Sequence, residues 1–213
     1  MKKTRALLSV LFNLATVVLT VYSVCCYIVR GATGNMFGMG SQCFIFYTTD
    51  SNVLAALCCL PALFFSVKTL LGGEFREPRW ARVLKWIGTS CVMLTFLVVV
   101  CFLSLFASMS ALFEGPNLFL HGVCPLLCLF SFLFFEEGDL PWKDLPFVLL
   151  PTVVYGLVYF VMVVIVGAEK GGWVDFYHFN LNGMWYVAMA AVFAGAALIA
   201  VVLRLLARLI DRK

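Results

Sequence analysis

Charge is what this chain of 213 residues has least of: only 12% of its residues are Asp, Glu, Lys or Arg, and 63% are hydrophobic. With a mean hydropathy of +1.03, a soluble domain of this length is excluded. Histidine is nearly absent too, at two residues. A haem relay needs axial ligands for each haem, so transmembrane electron transfer has poor provision. No C-x-x-C occurs among the nine cysteines. Most of these (Cys25, Cys26, Cys58, Cys59, Cys91, Cys101, Cys128) fall in apolar stretches, where Cys acts as a small hydrophobe, so neither a disulfide framework nor a redox motif is expected. His121, Cys124 and Cys128 share a helical face but lack a fourth ligand, so no metal is assigned. No phosphate-binding glycine loop is present, which argues against nucleotides. No cofactor is expected.

What the chain does have is length in its apolar runs. A spanning helix takes about 20 mostly apolar residues, and six windows qualify, over 6–29, 43–69, 86–113, 117–135, 145–167 and 183–207. The expected fold is all-α, one polytopic six-helix bundle over residues 1–213 without a separate soluble domain. The first window is longer than the apolar core of a secretory signal and lacks a clear cleavage site, so it reads as a retained helix.

Lys and Arg then set the orientation. With a cytoplasmic N-terminus the inner regions hold Lys2, Lys3, Arg5, Lys68, Arg76, Arg79, Arg82, Lys85, Lys143, Arg204, Arg208, Arg212 and Lys213, and the outer ones only Arg30 and Lys170. Both termini are therefore expected in the cytoplasm, in a multi-pass protein of a bacterial cell membrane. The net charge of +4 is accounted for by topology, and no nucleic acid partner is expected.

Against this background "FIFYTTDSNVL", residues 44–54, puts five polar side chains in a row. On a helix starting near Gln42, positions 48, 51, 52, 55 and 59 share a small, polar face directed into the bundle, and Thr48 lies roughly 8 Å deep. Phe46, Val53, Leu57, Leu60 and Phe64 form the opposite, lipid-directed face. Asp50 falls on that apolar side, its role open. In "EGPNLFLHGVCPLL", residues 114–127, His121 lies about 6 Å past the start of the fourth helix, at a depth matching Thr48. Pro125 leaves the His121 carbonyl without a helical donor, and Asn117 shares the face. An intramembrane histidine marks a candidate site.

Two readings of these residues stand side by side. Inward Thr, Ser, Asn and His can hydrogen-bond neighbouring helices and do no more. Alternatively Thr48 and His121 form a nucleophile–base pair for acyl transfer, with Ser51, Asn52 and Asn117 shaping the site. Glu114, Asp50 and Asp175 are candidates to orient the imidazole. The loop "GGWVDFYHFN", residues 171–180, is expected as an interfacial aromatic belt or as a rim where Asp175 and His178 touch substrate. Gly31, Gly34, Gly38 and Gly40 could supply backbone N–H groups to an oxyanion. The small residues of the last helix, from Ala190 to Ala200, are expected to pack within the bundle, with a dimer face as the alternative. A transporter would need charges along a path through the midplane, and here the charges cluster at the ends.

"FYTTDSN", "HGVCPLL" and "GGWVDFYHFN" resemble the family of the androgen-induced gene and the androgen-dependent tissue-factor-pathway-inhibitor-regulating protein, above all its short six-helix microbial members. The resemblance spans the chain in length and helix order. In those relatives the second helix carries Thr-x-x-Ser-Asn, falling here on Thr48, Ser51 and Asn52. The fourth carries a His before a Pro and Leu run, falling on His121 and Pro125. Animal members are membrane threonine hydrolases that cleave fatty acid esters of hydroxy fatty acids through a Thr–His pair. The resemblance implies Thr48 as nucleophile, His121 as acid and base, and membrane lipids and a lipid ester as partners. Two departures stand out: Thr49 lies beside Thr48, and Cys124 occupies the place of a second His in the animal motif. The alternative function is a non-catalytic sensor, scaffold or lipid-binding protein.

Overall fold

The computed structural model describes residues 2–30, 40–73 and 77–211. Within them the protein is all-α, with six helices long and apolar enough to cross a membrane. They are α1 (Lys2–Arg30), α2 (Tyr47–Leu70), α3 (Arg79–Cys101), α4 (Pro116–Phe135), α5 (Trp142–Val166) and α6 (Trp185–Asp211). Arg76, Arg212 and Lys213 lie outside the described residues.

α3 is the central post, packed against α2, α4, α5 and α6, while α1 closes the bundle against α2 and α4. Gly88 permits a close approach of α3 to α2. A Cβ there would lie 2.9 Å from both Ala55 Cα and Cys58 Cβ of α2, so only glycine lets the backbones meet this closely. Trp86 ties α3 to α6 by donating its indole N–H to the Ala200 carbonyl at 3.0 Å. The small residues of α6 thus serve two ends: Ala200 packs inside the bundle, and Ala191 and Gly195 border a cavity.

Three expectations shift. The third helix runs from Arg79 to Cys101 rather than over 86–113. Its far end gives way to short turns at Leu103–Leu105 and Met109–Leu112, where Ser108 caps the second turn by accepting from the Ala111 N–H. Its near end extends back through Arg82 and Lys85, so charges counted as loop residues are buried in the bundle. The second helix begins at Tyr47, after a 3₁₀ segment at Gly40–Ile45. Thr48 is therefore in its first turn rather than deeper along a helix starting near Gln42.

Burying Arg82 and Lys85 is possible because partners converge from three other helices. Lys85 Nζ donates to Asn13 Oδ1 of α1, lies 3.0 Å from Cys59 Sγ of α2 and sits 3.5 Å from Glu136 Oε1 just past α4. Glu136 Oε1 also accepts from Asn13 Nδ2 at 2.9 Å and Ser131 Oγ at 2.5 Å. Arg82 stacks over the Phe132 ring at 4.1 Å and places a nitrogen 3.6 Å from Glu136 Oε2. Burial alone would push the Glu136 carboxyl up, but Lys85 and Arg82 hold it below the usual range. At neighbouring Glu77, burial and then the Glu136 charge push the carboxyl up to about 8.

Asn13 belongs to a seam that runs the length of α1. Ser9, Asn13, Thr16, Thr20 and Ser23 are all buried, and their spacing of four, three, four and three residues is a heptad stripe. Here the stripe is polar. Apolar neighbours cannot drive association in lipid, so hydroxyls and amides hold the helices together instead.

Candidate functional site

The polar run of α2 lies as its pattern predicts: Thr48, Ser51, Asn52, Ala55 and Cys59 are buried, and Leu57, Leu60 and Phe64 are exposed. Two of these side chains do structural work. Ser51 Oγ meets Thr95 Oγ1 of α3 at 2.8 Å. Asn52 Nδ2 donates to the Thr48 carbonyl at 2.8 Å and to the Leu120 carbonyl of α4 at 3.0 Å.

The second of those bonds has a cause in α4. Residues Phe119–Val123 form a π turn, in which the Cys124 N–H reaches back five residues to the Phe119 carbonyl. The next bond in that ladder would run from residue 125 to the Leu120 carbonyl, and Pro125 has no N–H to give. The orphaned group is thus the carbonyl of Leu120, one residue earlier than α-helical geometry predicts for His121. Asn52 fills the gap. Asn52→Leu, similar in size, strands that carbonyl, and melting in detergent should show a loss of about 1–3 kcal/mol.

The same distortion sets His121. Its Nδ1 lies 2.5 Å from the Leu112 carbonyl, and a carbonyl only accepts, so Nδ1 carries the proton and Nε2 keeps its lone pair. Phe113 stands edge-on to the imidazole, with ring centroids 6.1 Å apart. None of the three carboxylates considered from the sequence takes the Nδ1 position. Glu114 is exposed and Asp50 half-buried in the first turn of α2.

Asp175 is engaged elsewhere. Its Oδ1 accepts from the Tyr159 hydroxyl at 3.0 Å and the Phe179 N–H at 2.7 Å, and its Oδ2 from the Asn180 N–H at 2.8 Å. The Tyr177 N–H in turn donates to the Tyr159 oxygen at 3.1 Å. Asp175 therefore ties the 171–180 loop to α5. Pinned this way, the loop places Tyr177 beside Thr48 on the walls of two cavities. Burial pushes the phenol up to about 12, so it keeps its proton at neutral pH. Nothing in the polar–apolar pattern singled Tyr177 out from its aromatic neighbours. His178 is exposed, has φ +52°, and stacks on Phe106 at 4.5 Å.

Two cavities meet here. One of about 200 Å³ is bordered by Thr48, Thr49, Asn117, His121 and Tyr177, with Asn117 accepting from the Tyr27 hydroxyl. The other, about 430 Å³, lies among α3, α5 and α6 and is bordered by Val98, Gly156, Ala191 and Gly195, with His178 near the loop. Its wall also includes Leu97, Val187 and Leu198, exposed on the apolar flank of the bundle. Thr48, Leu103 and Tyr177 line both cavities. Thr48 and His121 are thus brought to one cavity, though no direct hydrogen bond joins them among the described residues. Gly31, Gly34 and Gly38 lie outside the described residues; the amides next to Thr48 are those opening α2.

Among the described residues no three His, Cys, Asp or Glu side chains converge as metal ligands. Cys124 and Cys128 turn toward Thr20 and Thr16 of α1, and His121 toward Leu112. Comparison with protein family models, with curated proteins and with solved structures finds no match for this chain.

Proposed function

We propose that this protein is a lipid-ester hydrolase of the membrane, with Thr48 as nucleophile and His121 as general base and then general acid. The observation that carries this is the position of Thr48 between an apolar cavity of about 430 Å³ and a smaller one bordered by His121, whose Nε2 keeps its lone pair. Thr48 Oγ1 attacks the ester carbonyl carbon and its proton passes to Nε2. Collapse of the tetrahedral intermediate expels the alcohol, which takes that proton back, and water hydrolyses the acyl-threonine by the same route reversed. Hydrogen bonds of this kind are often long in the empty enzyme and tighten around substrate. The resemblance to membrane threonine hydrolases supports the same residues and suggests fatty acyl esters, such as those of hydroxy fatty acids, as substrates.

The basic residues Arg5, Arg79, Arg82, Lys85, Arg204 and Arg208 gather at the end of the bundle away from Thr48, beside the 136–144 segment. By the positive-inside rule that end is cytoplasmic, and the site faces outward. Acyl chains then enter laterally from the outer leaflet, past Leu97 and Leu198.

Labelling of the purified protein with a fluorophosphonate, located by peptide mass spectrometry, tests the reading. Label on Thr48 that disappears in His121→Ala supports it; a folded wild type that takes no label overturns it. The apolar cavity carries its own prediction. A Cβ on Gly195 would find its nearest neighbour, Leu94 Cδ1, at 4.0 Å, so Gly195→Leu fills the cavity rather than straining the helix. Its kcat/KM for palmitoyl relative to butyryl esters should fall roughly 10- to 100-fold. A second reading, a non-catalytic lipid-binding protein, draws on the engagement of Ser51 and Asn52 in helix packing. It expects saturable fatty acid binding with no turnover.

A further inference from the structure

The geometry points to Tyr177 as a third catalytic residue, whose phenol O–H donates to the ester carbonyl oxygen as that oxygen becomes an oxyanion. This rests on the reading of Thr48 as nucleophile. Three observations support it. Tyr177 borders both cavities, and of the residues that do so it and Thr48 alone bring a side-chain polar group. It shares with Thr48 the wall that the two cavities have in common, so it is placed beside the atom that attacks. An oxygen bonded to the carbon under attack lies close to that nucleophile, within range of the same donor. The amides of Tyr47 and Thr48 open α2 beside this wall, and these N–H groups have no carbonyl partner of their own within α2. A substrate oxygen settling beside the phenol gains them as further donors.

The division of labour is complete on this assignment. His121, held by Leu112 with its lone pair on Nε2, moves the proton and has no N–H aimed at the oxyanion. Tyr177 supplies the oxyanion with an O–H donor that the imidazole does not provide, and keeps its proton throughout. The bond from Thr48 Oγ1 to the carbonyl carbon forms, the carbonyl π pair moves onto oxygen, and the phenol hydrogen bond shortens onto that charge. On collapse the pair returns and the alcohol leaves with the proton from His121. The loop is suited to this because Asp175 fixes it by three hydrogen bonds, and a preorganised donor costs no reorganisation when charge develops.

Tyr177→Phe removes one oxygen and keeps the ring that packs against Tyr159 and Phe176. In detergent micelles, with a p-nitrophenyl ester of a long-chain fatty acid, kcat should fall about a hundred- to a thousandfold with KM nearly unchanged. Fluorophosphonate should still attach to Thr48 but more slowly, and the melting temperature should stay near that of the wild type. Turnover at the wild-type rate, or an intact kcat with a raised KM, would assign Tyr177 to packing or binding and overturn the inference while leaving Thr48 as nucleophile. A wild type that neither labels nor hydrolyses would remove the underlying reading, and this inference with it.

Discussion

Lys85→Met should cost this protein about 3–5 kcal/mol, enough to abolish its folded, monodisperse state in mild detergent. Lys85 is buried, and its charge is what allows Glu136 to remain ionised among Asn13, Ser131 and Arg82. Removing the ammonium leaves a carboxylate with one guanidinium nitrogen at 3.6 Å as its nearest cation. It also breaks the contacts that draw α1 and α2 onto α3 through Asn13 and Cys59. A hydrophobic side chain of similar length does not repair this, because the penalty lies with the partner left behind. The double variant Lys85→Met/Glu136→Gln should regain a large part of the loss, since a neutral amide still bonds to Asn13 and Ser131. Thermal unfolding of these two variants and of Glu136→Gln against the wild type, read by intrinsic fluorescence, gives the coupling directly. Equal melting of the wild type and Lys85→Met would mean that the cluster contributes nothing to stability.

Thr48→Val should abolish ester hydrolysis, with a loss of at least about a thousandfold, as expected when a covalent nucleophile is removed. Valine keeps the branched shape and gives up only the hydroxyl, so the first turn of α2 should hold its place. Thr49→Val provides the comparison. Thr49 also borders the smaller cavity, but it is displaced by about 100° around the helix, whereas Thr48 faces both cavities and Tyr177. Thr49→Val should retain turnover within about threefold of the wild type, and Thr48→Ser should retain part of it. If the effects of the two valine variants are reversed, the nucleophile is Thr49 and the pairing with His121 must be reassigned. Progress curves on a chromogenic acyl ester, with peptide mass spectrometry of trapped acyl-enzyme, separate these outcomes.

The sequence made the six spans legible because lipid demands a long uninterrupted run of apolar residues, and that demand leaves a one-dimensional trace. It also exposed the inward face of α2, since Thr48, Ser51 and Asn52 break an apolar background at helical spacing. Where the third helix begins was hidden for the converse reason. A hydropathy window treats Arg82 and Lys85 as interruptions, whereas their burial depends on Asn13, 72 residues away, and on Glu136. The seam of α1 did leave a signal, a heptad of Ser, Asn and Thr, but it is faint because hydroxyl residues barely lower mean hydropathy. Within the site, the pairing of depth between Thr48 and His121 was readable. The group on Nδ1 was not: it is the backbone of Leu112, and backbone carbonyls have no letter in the sequence. Tyr177 was likewise hidden among aromatic neighbours until Asp175 was seen to fix the loop that carries it.

The π turn at Phe119–Val123 bears on how the chain tolerates insertions and deletions. Such a turn holds one residue more than an α-helical ladder needs. Deleting a single residue within it would restore an unbroken ladder before Pro125 and turn everything on one side by about 100° relative to the other. Asn117, anchored by Tyr27, and the Leu120 carbonyl, anchored by Asn52, could then no longer both be served. The length of this segment is therefore constrained apart from the identity of its residues. A substitution at Phe119 or Val123 changes packing at one point, whereas a one-codon deletion between them would swing the imidazole away from Thr48 while leaving every side chain of the site in the protein.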